Sequence, residues 1–326
     1  MGKGENGQKL LTFEIKNDMI EEKTFHGGNM SALREYLNEL FVRLEFPVKA
    51  TEELLCAYDG LCSNESVKSR FLEIVSRYYE CINIDYDKVK EDYEALAESA
   101  GIHPYTLGLL VAASMTKKLR ERYIEQGISL SVFDRSMLDL KYKVVECMDV
   151  YGVVGNFVFA WFSGFLRMKL FGLGRLQYEI VPLKLECTVD GVELKEDSQA
   201  INIHIPRTGG KLDHGEVLES YKMAKEFFRE YFVGKPTVFT CCSWLLWQEH
   251  LRMLPVESNI CKFIRDFTIV REYELKDYNE VWRLFDKNFD GDPDHLPADS
   301  TLRRKYIEHM KAGKPTGTAK GVFVLK

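Results

Sequence analysis

The sequence predicts a chain of α+β class in two parts: an all-helical first half, then an α/β domain on a mixed sheet. Three observations carry this. From Asn29 to Gly152 apolar residues recur at helical spacing, with no alternating stretch between them. At about residue 152 the character changes to segments rich in β-branched and aromatic residues, bounded by glycine and by Asp-Gly. Residues 200–232 then form one unit of strand, glycine-bearing loop and amphipathic helix. The domains are accordingly placed at 1–152 and 153–326.

Residues 1–28 read as a lead-in with one short strand at LLTFEI. The first helix carries Leu33, Tyr36, Leu37, Leu40 and Phe41 on one face, and Pro47 ends it. Thr51 caps the second, with Glu52 and Glu53 in the first turn, where the helix dipole favours acids. Asn64 or Ser66 opens the third, striped by Phe71, Ile74, Val75, Tyr78 and Tyr79. Asp85 or Asp87 opens the fourth, which runs through Ala100 and stops at Gly101. Pro104 begins the fifth, since proline suits a first helical position. Ser131 with Asp134 caps the sixth, through Asp149. These stripes are read as core.

An apolar helix is expected over 156–170, followed by strand-forming sequence around Gly174 and a hairpin turn at Asp190-Gly191. In 200–206, Ile201, Ile203 and Ile205 point one way and Asn202 and His204 the other. After the loop RTGGKLDHG, a helix presents Val217, Leu218, Tyr221, Ala224, Phe227, Phe228 and Tyr231 on one face. Asp213 with Glu216 reads as its capping box. A strand over TVFTCCSW, a helix around WLLWQEHLRML, another from Ser258-Asn259, a strand TIVREYEL, an acidic loop, the helix TLRRKYIEHMKAG and a last strand GVFVLK complete the chain.

Composition narrows the function. A net charge of −6 argues against a nucleic-acid surface. MGKGENGQKL lacks the apolar core of a secretory signal, and VVGNFVFAWFSGFLRM is interrupted and short of the ~20 apolar residues a membrane span needs. The 8 cysteines form no C-x-x-C and lie mostly in apolar periodic segments, so reduced thiols in a cytoplasmic protein are expected, with no metal. Asp286 to Gly291 matches the first half of a calcium loop, but Pro297 stands where its bidentate glutamate belongs.

Chemistry concentrates in the strand–loop–helix unit. A helix N-terminus behind a glycine loop offers free N–H groups and a positive dipole end to a pyrophosphate, and glycines allow close approach. The same loop also serves as an ordinary βα turn.

Four motifs go further: Phe171-Gly-Leu-Gly-Arg175-Leu-Gln177, His204-Ile-Pro206 with its glycine loop, Cys242-Ser-Trp-Leu-Leu246, and Leu254-Pro-Val-Glu-Ser-Asn259 leading to Phe267. With them the second half resembles the C-terminal domain of the two-domain GNAT-like acyltransferase family, whose N-terminal domain is helical. The resemblance implies an acyl-CoA N-acyltransferase fold with acetyl-CoA or another acyl-CoA as co-substrate. It implies His204 and Ile205 along pantetheine, and Arg207, Thr208, Gly209, Gly210 and Lys211 as the phosphate cradle. Cys241, Cys242 and Ser243 would lie near the thioester, and the sheet would splay between these two strands. The sequence departs from the superfamily in its adjacent glycines, in Asp213 and in having no tyrosine between Asn259 and Phe267.

Acylating an amine needs a base for the ammonium proton and an acid or solvent for the leaving thiolate. His204, Ser243 and Glu179 are the catalytic candidates, with Glu179 expected to have its pKa raised by an apolar strand. The leading expectation is acetyl transfer to the amine of a small molecule or peptide, bound between the two domains. A non-catalytic acyl-CoA-binding or sensing protein, or an interaction scaffold, is the alternative. No nucleic-acid or membrane partner is expected.

Overall fold

A computed structural model describes residues 30–207, 210–278 and 280–325. The strand expected at LLTFEI, and Thr208 and Gly209 of the cradle, lie outside these residues. Helices α1 (Met30–Arg43), α2 (Val48–Ser63), α3 (Glu65–Glu80), α4 (Tyr86–Ala100), α5 (Pro104–Glu125) and α6 (Leu130–Tyr151) fill the first half. Asn64 caps α3 and Asp85 caps α4, each side chain accepting from two backbone N–H groups. Two expected starts move. Pro47 is the N-cap of α2, so Thr51 lies within the first turn, because the residue there needs no N–H of its own. Ser129, not Ser131, caps α6 by accepting from the Ser131 N–H at 3.2 Å.

The apolar helix is shorter than expected, α7 (Phe159–Leu166). Asn156 bonds the Val158 N–H at 2.8 Å, a local turn that competes with helix. This helix packs on the helical half: Phe159 meets the Tyr93 ring at 4.9 Å, and Tyr78 donates to the Leu166 carbonyl at 2.7 Å.

The second half contributes β1 (Leu170–Leu173), β2 (Leu176–Pro182), β5 (Gln199–His204), α8 (His214–Phe227), β6 (Thr237–Ser243), α9 (His250–Met253), α10 (Asn259–Arg265), β7 (Thr268–Leu275), α11 (Trp282–Phe285), α12 (Thr301–Lys311) and β8 (Thr316–Leu325). The hairpin at Asp190-Gly191 forms, but as a separate ribbon of β3 (Cys187–Val189) and β4 (Val192–Leu194). The main sheet has the order β1-β2-β5-β6-β8-β7, with β5 and β6 parallel and the other pairs antiparallel. Around WLLWQEHLRML a 3-10 turn (Trp244–Leu246) precedes α9 in place of one helix. On α8, Val217, Tyr221 and Ala224 are buried as expected, whereas Leu218 is 41% exposed.

One apolar core runs from Leu33 to Phe323 through both halves. Helix α6 lies close on β1: the Gly172 N–H donates to Ser136 Oγ at 2.8 Å, and a Cβ on Gly172 would stand 2.7 Å from the Arg135 carbonyl oxygen.

Candidate active site

Strand pairing assembles a polar patch that periodicity alone leaves scattered. Gln177 lies opposite His204, and Glu179 opposite Asn202. Residues paired directly across a ladder share a face, so these four project together while Tyr178, Ile201 and Ile203 fill the core on the other side. His204 Nε2 is 2.7 Å from Glu179 Oε1, and Asn202 Nδ2 donates to the same oxygen at 3.1 Å. An ionised carboxylate only accepts, so His204 Nε2 carries a proton towards it.

The expected pKa of Glu179 is corrected here. Burial works to raise it, but the hydrogen bond and charge of His204, the Asn202 amide and Lys169 outweigh burial and hold the carboxyl below its ordinary range. Glu179 is therefore held towards its anionic form, as a hydrogen-bond acceptor for His204 and Asn202.

Strands β5 and β6 pair only at Ile201–Phe239 and Asn202–Thr240. Beyond this point the chains carrying His204 and Cys242-Ser243 run on without a ladder, as a splayed sheet requires. Cys241 is buried, and burial pushes its thiol well up; Cys242 is exposed. Ser243 caps the following turn, its Oγ accepting from the Leu245 N–H at 3.1 Å.

The loop between β5 and α8 is braced from beneath. Arg175, 6% exposed, donates from Nη1 and Nη2 to the Pro206 carbonyl, from Nη2 to that of Gly210 and from Nε to that of Lys211, each at 3.2–3.3 Å. No carboxylate of the described residues pairs with it in this structure, so its charge stands behind the loop. Gly210 has φ +91°, a conformation that suits glycine. Lys211 is exposed. Arg207 is turned to Asp286 and, at 3.5 Å, to Asp149, with its Nη1 lacking a partner among the described residues. At α8, Asp213 accepts from the Gly215 and Glu216 N–H groups, so two donors of the helix terminus are taken by its own cap.

Two adjoining cavities share Ile205, Pro206, Trp244 and Leu245. One, about 550 Å³, runs from the braced loop past Leu254, Ile260 and Leu302. The other, about 570 Å³, lies between the helical half and the splayed strands, lined by His204, Cys242 and Ser243 on one side and by Asp139, Glu146 and Trp161 on the other. Asp139 is 1% exposed and accepts from Trp161 Nε1 at 2.9 Å and Gln177 Nε2 at 2.7 Å. Burial pushes its carboxyl up, against the pull of Lys143 and these donors. The sequence does not point to Asp139, Trp161 or the brace from Arg175. Arg175 and Gln177 lie in one of the motifs quoted above, but their partners lie more than twenty positions away and no short-range pattern marks them.

The acidic segment shows no shared ion site. Asp286 is held by Arg207 and Arg303, and His295 lies 3.0 Å from Asp290. Among the described residues no group of three or more His, Cys, Asp or Glu side chains is placed to hold a metal ion. Nor is any helix among them long and apolar enough to cross a membrane.

Residues 35–168 match the N-acyltransferase N-terminal domain and residues 170–323 the GNAT-like C-terminal domain. Among solved structures, the chain is similar to an acyltransferase in complex with decanoyl-CoA (TM-score 0.70, 21% identity, 89% of this chain and 88% of that one). It is also similar to an acyltransferase with decanoyl-CoA and teicoplanin (0.67, 23%, 90% and 88%) and one with CoA and 10C-teicoplanin (0.69, 24%, 89% and 88%). At these identities the likeness is one of fold. No curated protein matches the chain.

Proposed function

The chain belongs to the two-domain N-acyltransferases, an N-acyltransferase N-terminal domain followed by a GNAT-like C-terminal domain, and from that premise we propose that it moves an acyl group from acyl-CoA to an amine. The observation that carries this reading is His204, bonded to Glu179 at the mouth of the splayed strands and lining a cavity between the helical half and the sheet. The pantetheine arm would follow the unpaired edge of β5 past Ile205, with the pyrophosphate at the loop of Arg207, Thr208, Gly209, Gly210 and Lys211. The amine would enter from the side of the helical half. As its nitrogen attacks the thioester carbon, the C–N bond forms and His204 Nδ1 takes the nitrogen's proton. The C–S bond then breaks, and the thiolate leaves beside Cys242 and Ser243 to be protonated by solvent, or by Ser243, which regains a proton from solvent as His204 releases the one it took. Glu179 holds the imidazole in the required tautomer and steadies its cation.

The size of the second cavity and the decanoyl-CoA held by similar structures favour an acyl chain longer than the acetyl group expected from sequence. A small-molecule acceptor is supported by the teicoplanin bound in a similar structure. The free cysteines suit the cytoplasm.

The test is thiol release from acetyl-, octanoyl- and decanoyl-CoA with and without a panel of primary amines. Amine-dependent release is expected, lowered on the order of 10²–10⁴-fold in His204→Ala. Absence of such release with every donor and amine would sink the reading.

A further inference from the structure

A carboxyl group buried to 1% exposure in a helix otherwise facing the core with Met137 and Leu140 is costly, and cheaper apolar residues pack such a position. What Asp139 holds explains its presence. Its Oδ2 takes the Trp161 indole N–H at 2.9 Å, and its Oδ1 takes the Gln177 amide at 2.7 Å. Both of those side chains flank His204. The Trp161 ring meets the imidazole edge to face, at 4.8 Å between centroids and 77° between planes. Gln177 is the residue directly opposite His204 in the β2–β5 ladder.

Resting on the reading of His204 as the proton acceptor, we propose that Asp139 is a positioning residue: from helix α6 it locks Trp161 and Gln177, and through them fixes the imidazole of His204 at the domain interface. Glu179 sets which nitrogen of His204 is protonated, and Asp139 sets where the ring stands. A base must reach its proton within hydrogen-bond distance, and a displacement of about 1 Å costs up to a hundredfold in rate. Glu146, on the same helix, is already paired with Lys143 at 2.9 Å and does not duplicate this role.

The substitution Asp139→Asn keeps the shape but turns an N–H donor towards one of the two donors it now accepts from. With octanoyl-CoA and the amine panel, kcat is expected to fall about ten- to a hundredfold, with the KM for octanoyl-CoA changed less than about twofold. In a His204→Ala background the same substitution should cost nothing further. An equal loss in both backgrounds, or an unchanged kcat, overturns the proposal. A second readout needs no turnover: the rate at which diethyl pyrocarbonate modifies His204, followed by mass spectrometry, should rise as Trp161 loosens. If the wild type transfers to no amine, a raised modification rate in the variant sustains the positioning role while the acyl-transfer reading fails. An unchanged rate overturns the positioning role whatever the turnover. Should Asp139→Asn not fold, Trp161→Phe, which keeps the ring and removes the N–H, is measured in the same way. A raised rate there again sustains the role, and an unchanged one overturns it.

Discussion

At the scale of the residue, Glu179 and His204 divide one task. The carboxyl is partly buried, yet its partners keep it ionised. The sign of the resulting pH dependence follows. A carboxyl held below its ordinary value in the folded state adds stability that is complete above the unfolded pKa, about 4.3, and is lost as pH falls through the lower folded value. Melts of wild type and Glu179→Gln should therefore differ at pH 7 and converge as pH drops below about 4. Convergence at higher pH, or none, would place the carboxyl in another charge state. The same variant should lose at least about tenfold in kcat at pH 7, because a glutamine no longer steadies the imidazolium. Periodicity placed His204 on the polar face of its strand. It did not reveal that Glu179 stands beside it, since that depends on the register of two strands 25 positions apart.

At the scale of the element, the loop between β5 and α8 is held by Arg175 more than by the helix behind it. A planar guanidinium reaches the Pro206, Gly210 and Lys211 carbonyls together, whereas an ammonium is a point donor. Arg175→Lys should keep the fold and weaken CoA binding by roughly tenfold or more, the loss of one or two charge-assisted bonds. Gly210→Val should do the same for a different reason, since a β-branched residue at φ +91° is strained by about 1–3 kcal/mol. Calorimetric titration of CoA, with melts alongside, checks both. Lowered stability with unchanged CoA affinity would mark the loop as a turn and nothing more. The cap read from the sequence forms: Asp213 occupies the N–H groups of Gly215 and Glu216, which leaves the terminus of α8 less to offer an anion.

At the scale of the molecule, the two halves share one core and meet where backbone touches backbone. Gly172 lets β1 approach α6, and its N–H is bonded to Ser136. Gly172→Ala would press a methyl against the Arg135 carbonyl and should cost about 1–3 kcal/mol, read as a lowered midpoint in denaturant. Because the core is continuous from Leu33 to Phe323, thermal unfolding should show one transition by circular dichroism and by tryptophan fluorescence. An early, separate melting of the helical half would contradict that continuity.

What depends on near neighbours is legible in the order of residues alone. Helical spacing, the left-handed stop at Gly101, the Asp190-Gly191 turn and the two faces of β5 are all consequences of residues a few positions apart, and so are the choices of cap at Asn64 or Ser66 and at Asp85 or Asp87, which the fold resolves to Asn64 and Asp85. The sequence motifs also carried the family. What depends on burial and on distant partners needed the folded chain. Folding set the ionised state of Glu179, the capture of Arg207 by Asp149 and Asp286, the brace from Arg175 to its loop, and the place of Asp139 between Trp161 and Gln177. The reason is physical: a charge takes its properties from the dielectric and the dipoles around it, and those are supplied by segments that only folding brings together.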